Sequence, residues 1–399
     1  MSGRKLLFLT PFPPRLDGHH GGSRAVAHLL SCLAERNRVA LLSLRAEDEP
    51  PVEDAVKRRC EIVEEVPRRL IGLSARRAWT ERRRVRMLLS GSPGWIAGTS
   101  VAGFAARISS VARSWQPDVV QVEFLVMAQY LRALDGCSAA RVLVDHDPPF
   151  RSPLKRRAAR AWRQLSRAGA ERADAVVVFT ERDRALVASL TGAPRIVRIP
   201  LGTELPLAPL DPLGQPPPRI LFVGSFAHRP NVEAGQRLIE SIFPRVLAER
   251  PDARLILVGA DPPRQLRNGA GDGVLVTGWV EDVRRYLNEA AVVVAPLTAG
   301  GGMRVKVLEA LAAGKPVVAS PLALEGLDVH SGEHVLAADG DEPFAEAVLS
   351  LLDDPERRRA LARSARSWAE ANLRWDATAA EYERLYASLL RDTHLQPGA

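Results

Sequence analysis

Residues 291–320 read AVVVAPLTAGGGMRVKVLEALAAGKPVVAS. Ala291–Leu297 is an apolar run rich in β-branched residues, long enough for one buried strand. Gly300-Gly301-Gly302 breaks it, and helical spacing resumes from Met303 to Ala313. Gly314 stops that helix before a second buried run, Lys315–Ser320. Strand, glycine turn, helix and strand make a βαβ unit. The turn exposes backbone N–H groups at a helix N-terminus, where the dipole adds partial positive charge and favours an anion. Arg304 and Lys306 stand in the first helical turn, where cations are mildly unfavourable unless an anionic ligand offsets them.

The same alternation extends in both directions. Upstream, apolar runs at Lys5–Thr10, Asn37–Leu44, Asp118–Phe124, Arg141–Asp147, Ala173–Thr180 and Arg195–Pro200 alternate with helical segments, of which Ser23–Arg36 has Ser23 as its cap. Pro67–Trp95 is arginine-rich and irregular. Leu205–Pro218 holds six prolines in fourteen residues and reads as an interdomain linker. Beyond it, strands at Arg219–Ser225, Ala253–Ala260 and Gly273–Val280 lead back to the opening unit, and helices fill most of 342–391. Strands that are apolar throughout, alternating with amphipathic helices, imply parallel sheets covered on both faces. The expected fold is α/β: two Rossmann-like domains with parallel sheets facing a central cleft. The domains are 1–204 and 219–374, joined by 205–218, with the helix at about 375–391 packing back on the first.

At 399 residues the chain is long enough for two cores. Its net charge of +8 and pI of about 9.9 favour anionic partners, yet aromatics are only 5% and do not interleave with the basic runs, which argues against nucleic acid. Cys32, Cys60 and Cys137 are isolated, so neither a zinc knuckle nor a disulfide framework is suggested. No apolar run approaches a membrane span, and Lys5–Thr10 is too short for a secretory leader, so a cytoplasmic location is expected.

In parallel sheets ligands sit beyond the carboxyl ends of strands. Four such loops carry candidate chemistry. Gly21 and Gly22 after the first strand either form a plain tight turn or let backbone approach a ligand, with Arg24 in reach of a phosphate. His146, between Asp145 and Asp147, either bonds a backbone carbonyl or faces a ligand hydroxyl as a proton shuttle. Gly224, with Arg229 shortly after it, offers a phosphate contact or merely a solvated arginine. The opening stretch adds Gly301, Gly302, Met303, Arg304, Lys306 and Glu309, the glutamate placed to accept two hydrogen bonds from a ribose diol. No metal site is predicted.

These features together resemble the retaining glycosyltransferases of the GT4 type, with the GT-B fold, and in particular the sugar transferases of bacterial exopolysaccharide systems. The likeness rests on Gly300–Ser320, Val223-Gly224-Ser225 with Arg229-Pro230-Asn231, the Gly21-Gly22 loop, His146-Asp147 and the Pro200–Glu204 turn. It implies a nucleoside-diphosphate-sugar donor as co-substrate, no cofactor, and a glycan or lipid-linked acceptor. It also implies roles: Gly21-Gly22 near the diphosphate, His146 at the donor sugar, Arg229 with Arg304 or Lys306 neutralising the leaving group, and Glu309 on the ribose. Glu309 matches the second glutamate of the family's E-x7-E pattern, whereas Gly301 occupies the place of the first.

With no DxD-like metal motif in a suitable loop, positive charge for a leaving diphosphate must come from arginine, lysine and the helix N-terminus. The retaining course is implied by the resemblance alone. Two other readings share the fold: a nucleotide-sugar 2-epimerase, and a non-catalytic partner in a glycan-synthesis complex. Arg68–Arg86 and Lys155–Arg167 form either a solvated basic face or a docking surface for an anionic membrane.

Overall fold

The structure is a computed structural model that describes residues 3–18, 21–68, 94–101, 103–147, 156–192, 195–269, 271, 273–300 and 304–394. The chain forms two compact units, Met1–Leu201 with Thr378–Ala399, and Gly202–Ala377.

In the first unit seven parallel strands are described: β1 Lys5–Thr10, β2 Arg38–Ala46, β3 Ile62–Arg68, β4 Val119–Glu123, β5 Ala140–Val144, β6 Ala175–Val178 and β7 Ile196–Arg198. Their order is β3-β2-β1-β4-β5-β6-β7. β1 pairs with β2 from Lys5↔Arg38 to Thr10↔Ser43, and with β4 from Leu6↔Val119 to Leu9↔Val122. Apart from their ends, these central strands are buried on both faces, as strands covered by helices on both sides are. Helix α1 (Gly21–Ala34), α2 (Phe104–Trp115) and α3 (Arg156–Ala170) belong to those layers. β3 was not foreseen from the sequence. It is an edge strand, half-buried, and its Glu64 and Glu65 meet Arg107 at 2.6 Å and Arg45 at 3.3 Å. Alternating charge and a proline hide such an edge from an apolar count.

The second unit repeats the plan with β8 Arg219–Val223, β9 Arg254–Val258, β10 Val274–Gly278, β11 Val292–Ala295, β12 Val317–Ala319 and β13 Leu336–Ala337, in the order β10-β9-β8-β11-β12-β13. Helices α4 (Arg229–Arg237) and α5 (Val305–Ala312) follow β8 and β11. In both sheets the direction of winding reverses beside the first strand, between β1 and β4 and between β8 and β11. Loops part there and leave a crevice.

The last helix, α6 (Trp375–His394), starts in the second unit and continues in the first. In the first unit Tyr382, Leu385, Tyr386 and Leu389 are buried, and Glu383 accepts from Arg36 and Asn37 at 3.0 Å each.

Two local expectations change. Helix α1 begins at Gly21 rather than Ser23, because the Ser23 hydroxyl donates to Pro13 O at 2.8 Å and accepts from Arg15 N at 3.1 Å. It ties the proline loop down instead of capping. The proline-rich 205–218 is not a free spacer but a strap on the second unit. Leu210 N donates to Ala313 O at 2.8 Å, Gln215 N to Glu289 O at 3.0 Å, and the Lys315 ammonium to Asp211 O. Gly214 (φ 70°) lies so close to Ala290 that a Cβ would come within 2.5 Å of its carbonyl. Composition suggests freedom here, yet proline removes only donors, and the remaining backbone groups find partners.

Candidate functional site

Each unit carries a cluster of polar groups, beyond the ends of β4 and β5 beside the reversal point in the first and at the reversal point in the second. In the first unit the cluster is His146. Strand β5 stops at Val144, so Asp145, His146 and Asp147 lie in the loop beyond, where strand alternation no longer pairs the two carboxylates. Asp145 is buried, and that burial, with Asp147 and Asp183 nearby, pushes its pKa up to about 8. The His146 ring stacks on Phe124 at 3.7 Å between centroids and 10° between planes, and meets Phe179 edge-on at 4.9 Å. Its Nε2 lies 2.6 Å from Glu123 Oε2. Phe124 has φ 70°, a sterically unfavourable conformation for a bulky residue, which turns the chain at the end of β4. The ring is thus held on two faces and one edge.

Sequence reading missed Glu123 as the partner of His146. A signal existed. Gln121 and Glu123 share one face of a central, fully buried strand, and buried polar side chains require partners. Gly21 and Gly22 open α1, as the first helical residues after the β1 loop, and Arg24 is partly buried in its first turn.

In the second unit the cluster is Lys306. Arg304 is the residue before α5, with φ −89° and ψ 83°, so it still lies in the turn, and Lys306 is the second helical residue. Lys306 Nζ donates to Asn231 Oδ1 at 2.5 Å and lies 4.2 Å from the centre of the Phe222 ring. Asn231 Nδ2 in turn donates to Ser225 O at 2.7 Å. Burial, with the Arg304 charge added, brings the Lys306 pKa down to about 7, against the pull of Glu309. Gly224 at the end of β8 leaves room for these side chains, since a Cβ there would approach Lys306 Nζ to 2.7 Å and Asn231 Cγ to 2.9 Å and force them to shift. Gly300 (φ 114°) faces the Arg304 guanidinium and Pro230, each 3.4 Å from an added Cβ. Gly224, Asn231, Arg304 and Lys306 therefore surround one point beside a helix N-terminus.

Arg229 is not gathered there. Its side chain is 79% exposed and its Nε donates to Glu233 at 2.6 Å. Residues two apart on a helix point about 200° apart, so when Asn231 turns inward Arg229 turns out. Gly301, Gly302 and Met303 lie outside the described residues, as does most of the arginine-rich stretch after Arg68.

His330, Glu333 and His334 form a compact group with metal-ligand chemistry. His334 Nδ1 accepts the backbone N–H of His330 at 3.0 Å, which puts the proton of the neutral ring on Nε2 and leaves that nitrogen no lone pair for an ion. The group is poorly built for a metal.

Two family models match consecutive parts of the chain: "Glycosyltransferase Family 4" over residues 19–205 and "Glycosyl transferases group 1" over residues 217–354. Together the two matches cover most of the chain and support a GT4-type glycosyltransferase. Among curated relatives of this GT4-type protein is a GDP-mannose-dependent monoacylated α-(1-6)-phosphatidylinositol monomannoside mannosyltransferase of Corynebacterium glutamicum. It is 35% identical over 156 residues, 36% of this chain and 41% of the relative. A phosphatidyl-myo-inositol mannosyltransferase of Mycolicibacterium smegmatis is 26% identical over 204 residues, 48% of this chain and 52% of the relative. The matches thus span about half the length of these relatives. Sucrose-phosphate synthase from Thermosynechococcus elongatus superposes with a TM-score of 0.73 at 20% identity, over 98% of this chain and 100% of that one. Anabaena HepE in complex with UDP and glucose superposes with a TM-score of 0.70 at 15% identity, over 96% and 100%. The GT4-type chain has the GT-B fold, with two parallel-sheet Rossmann-like domains.

Proposed function

We propose that this GT4-type protein transfers a hexosyl group from a nucleoside-diphosphate sugar to a lipid-linked or glycan acceptor, with retention and without a metal ion. The observation that carries the reading is the Lys306 ammonium, partly buried beside Gly224 with its pKa down to about 7. A cation held at such a cost is explained by an anion that restores its charge on arrival. Arg304 and the N-terminus of α5 add positive charge at the same place. Gly21 and Gly22 are assigned to close approach to the diphosphate, Glu309 to the ribose, and His146 to the reacting centre. Retention follows the family resemblance. The mannosyltransferase relatives support a glycolipid acceptor in cell-surface synthesis, and a donor carrying mannose.

Peripheral attachment to the inner face of the plasma membrane fits this acceptor. No helix among the described residues is long and apolar enough to cross a membrane. Helix α3 exposes Arg160, Arg163 and Arg167 and buries Trp162. Each such cation near an anionic surface contributes about 1 kcal/mol.

Calorimetry with GDP, UDP, GDP-mannose and UDP-glucose tests the core of the reading. At least one is expected to bind with micromolar affinity, and its sugar form to be turned over when a mannolipid acceptor is added. Absence of binding by all four ends the proposal.

A further inference from the structure

Behind His146 runs an unbroken series of buried polar side chains. The Tyr386 hydroxyl, on α6, donates to Gln121 Oε1. Gln121 Nε2 donates to Glu123 Oε1, and Glu123 Oε2 meets His146 Nε2 at 2.6 Å. Tyr386 and Gln121 are 0% exposed, Glu123 1%, and the His146 side chain 8%. At this depth water does not substitute for a missing partner, so each link constrains the next.

The donor and acceptor inventory gives the series one direction. A phenol hydroxyl against an amide oxygen donates. With Oε1 taken, Gln121 offers its NH2 to Glu123. Glu123, as a carboxylate, accepts at both oxygens, so the ring proton facing it sits on His146 Nε2. In the neutral imidazole the lone pair is then on Nδ1. One hydroxyl on the last helix thereby orients an amide, a carboxylate and the tautomer of the histidine, while Phe124 and Phe179 hold the ring plane.

We infer that Tyr386 is a positioning residue, which sets the tautomer and hold of His146 through Gln121 and Glu123. The inference rests on the proposed reading of His146 as a group at the reacting centre. Tyr382 supplies the control. It lies one turn earlier on α6, is 1% exposed, and its hydroxyl makes no hydrogen bond among the described residues. Tyr382→Phe and Tyr386→Phe thus remove the same atom from the same helix at the same depth, and only the second cuts the series.

The experiment uses the full chain and reads the downfield imidazole N–H proton resonance of His146, assigned by its loss in His146→Asn. Tyr382→Phe is expected to leave it unchanged. Tyr386→Phe is expected to move it upfield and to speed its exchange with water about tenfold, while kcat falls about five- to tenfold at an unchanged KM for the donor. Gln121→Leu breaks the series one link nearer and is expected to reproduce the spectral change, which keeps the test open if Tyr386→Phe does not fold. A wild-type resonance in both Tyr386→Phe and Gln121→Leu overturns the inference, and so does an equal shift in Tyr382→Phe. The resonance needs no turnover, so failure of the transferase reading would show separately, as a wild-type chain without transfer.

Discussion

The two sheets share one winding order, yet their clusters solve opposite problems with buried polarity. Beside the reversal point of the first, Tyr386, Gln121, Glu123 and His146 satisfy one another. In the second, the partners of Lys306 among the described residues are the neutral Asn231 and the Phe222 face, burial and the Arg304 charge outweigh the pull of Glu309, and its pKa drops to about 7. A satisfied network fixes a geometry. An under-compensated cation awaits a charge. The difference separates orientation of a reacting group from binding of an anion, and the topology alone does not distinguish them.

The hardest blow to the second cluster is Gly224→Val. Its branched side chain would be driven onto Lys306 and Asn231, and overpacking of this kind costs about 1–3 kcal/mol before any loss of contact. Nucleoside-diphosphate affinity is expected to fall by about two orders of magnitude, with a lowered Tm, leaving the His146 resonance unmoved. A variant that binds within threefold of wild type would remove Gly224 from the cradle.

Lys306→Met comes next and should split stability from function. A charge-assisted hydrogen bond is worth about 1.5–3 kcal/mol, so affinity is expected to fall roughly 10- to 100-fold. Between the folded pKa of about 7 and the ordinary 10.5 the unfolded chain holds the extra proton, so this lysine's contribution to stability rises with pH across that window and is unfavourable below it. The methionine variant is therefore expected to melt higher than wild type at pH 6–7, with the advantage fading toward pH 10. In wild type an arriving diphosphate raises the lysine pKa, so calorimetry at pH 7.5 in buffers of different ionisation enthalpy should show proton uptake, absent in the variant. Proton-neutral binding by wild type would contradict the under-compensated cation.

Arg229→Ala should do least. An exposed i,i+4 ion pair contributes about 0.3–0.5 kcal/mol, so affinity should change less than about threefold. A larger loss would return Arg229 to the diphosphate and make the cluster wider than Gly224, Asn231, Arg304 and Lys306.

Much of this was readable from the sequence because the deciding signals are local. Apolar runs of strand length, spaced by helices and broken by Gly or Pro, specify parallel sheets wherever they occur, and they located β1, β4, β5, β8, β11 and β12 to within a few residues. The ends of those strands gave Gly224, His146 and Lys306 as candidates before any contact was known. β3 escaped because an edge strand is half-solvated and carries charge. The proline-rich 205–218 reads in sequence only as a linker, because composition records the donors lost and not the bonds that the remaining backbone groups make.

What only the tertiary structure decided is partnership. Glu123 meets a histidine 23 residues away, Lys306 an asparagine 75 away, and Gln121 a tyrosine 265 away. Local sequence sets propensity and the buried face of each element. Which polar groups share a buried space depends on how distant elements pack, and that is a property of the whole fold.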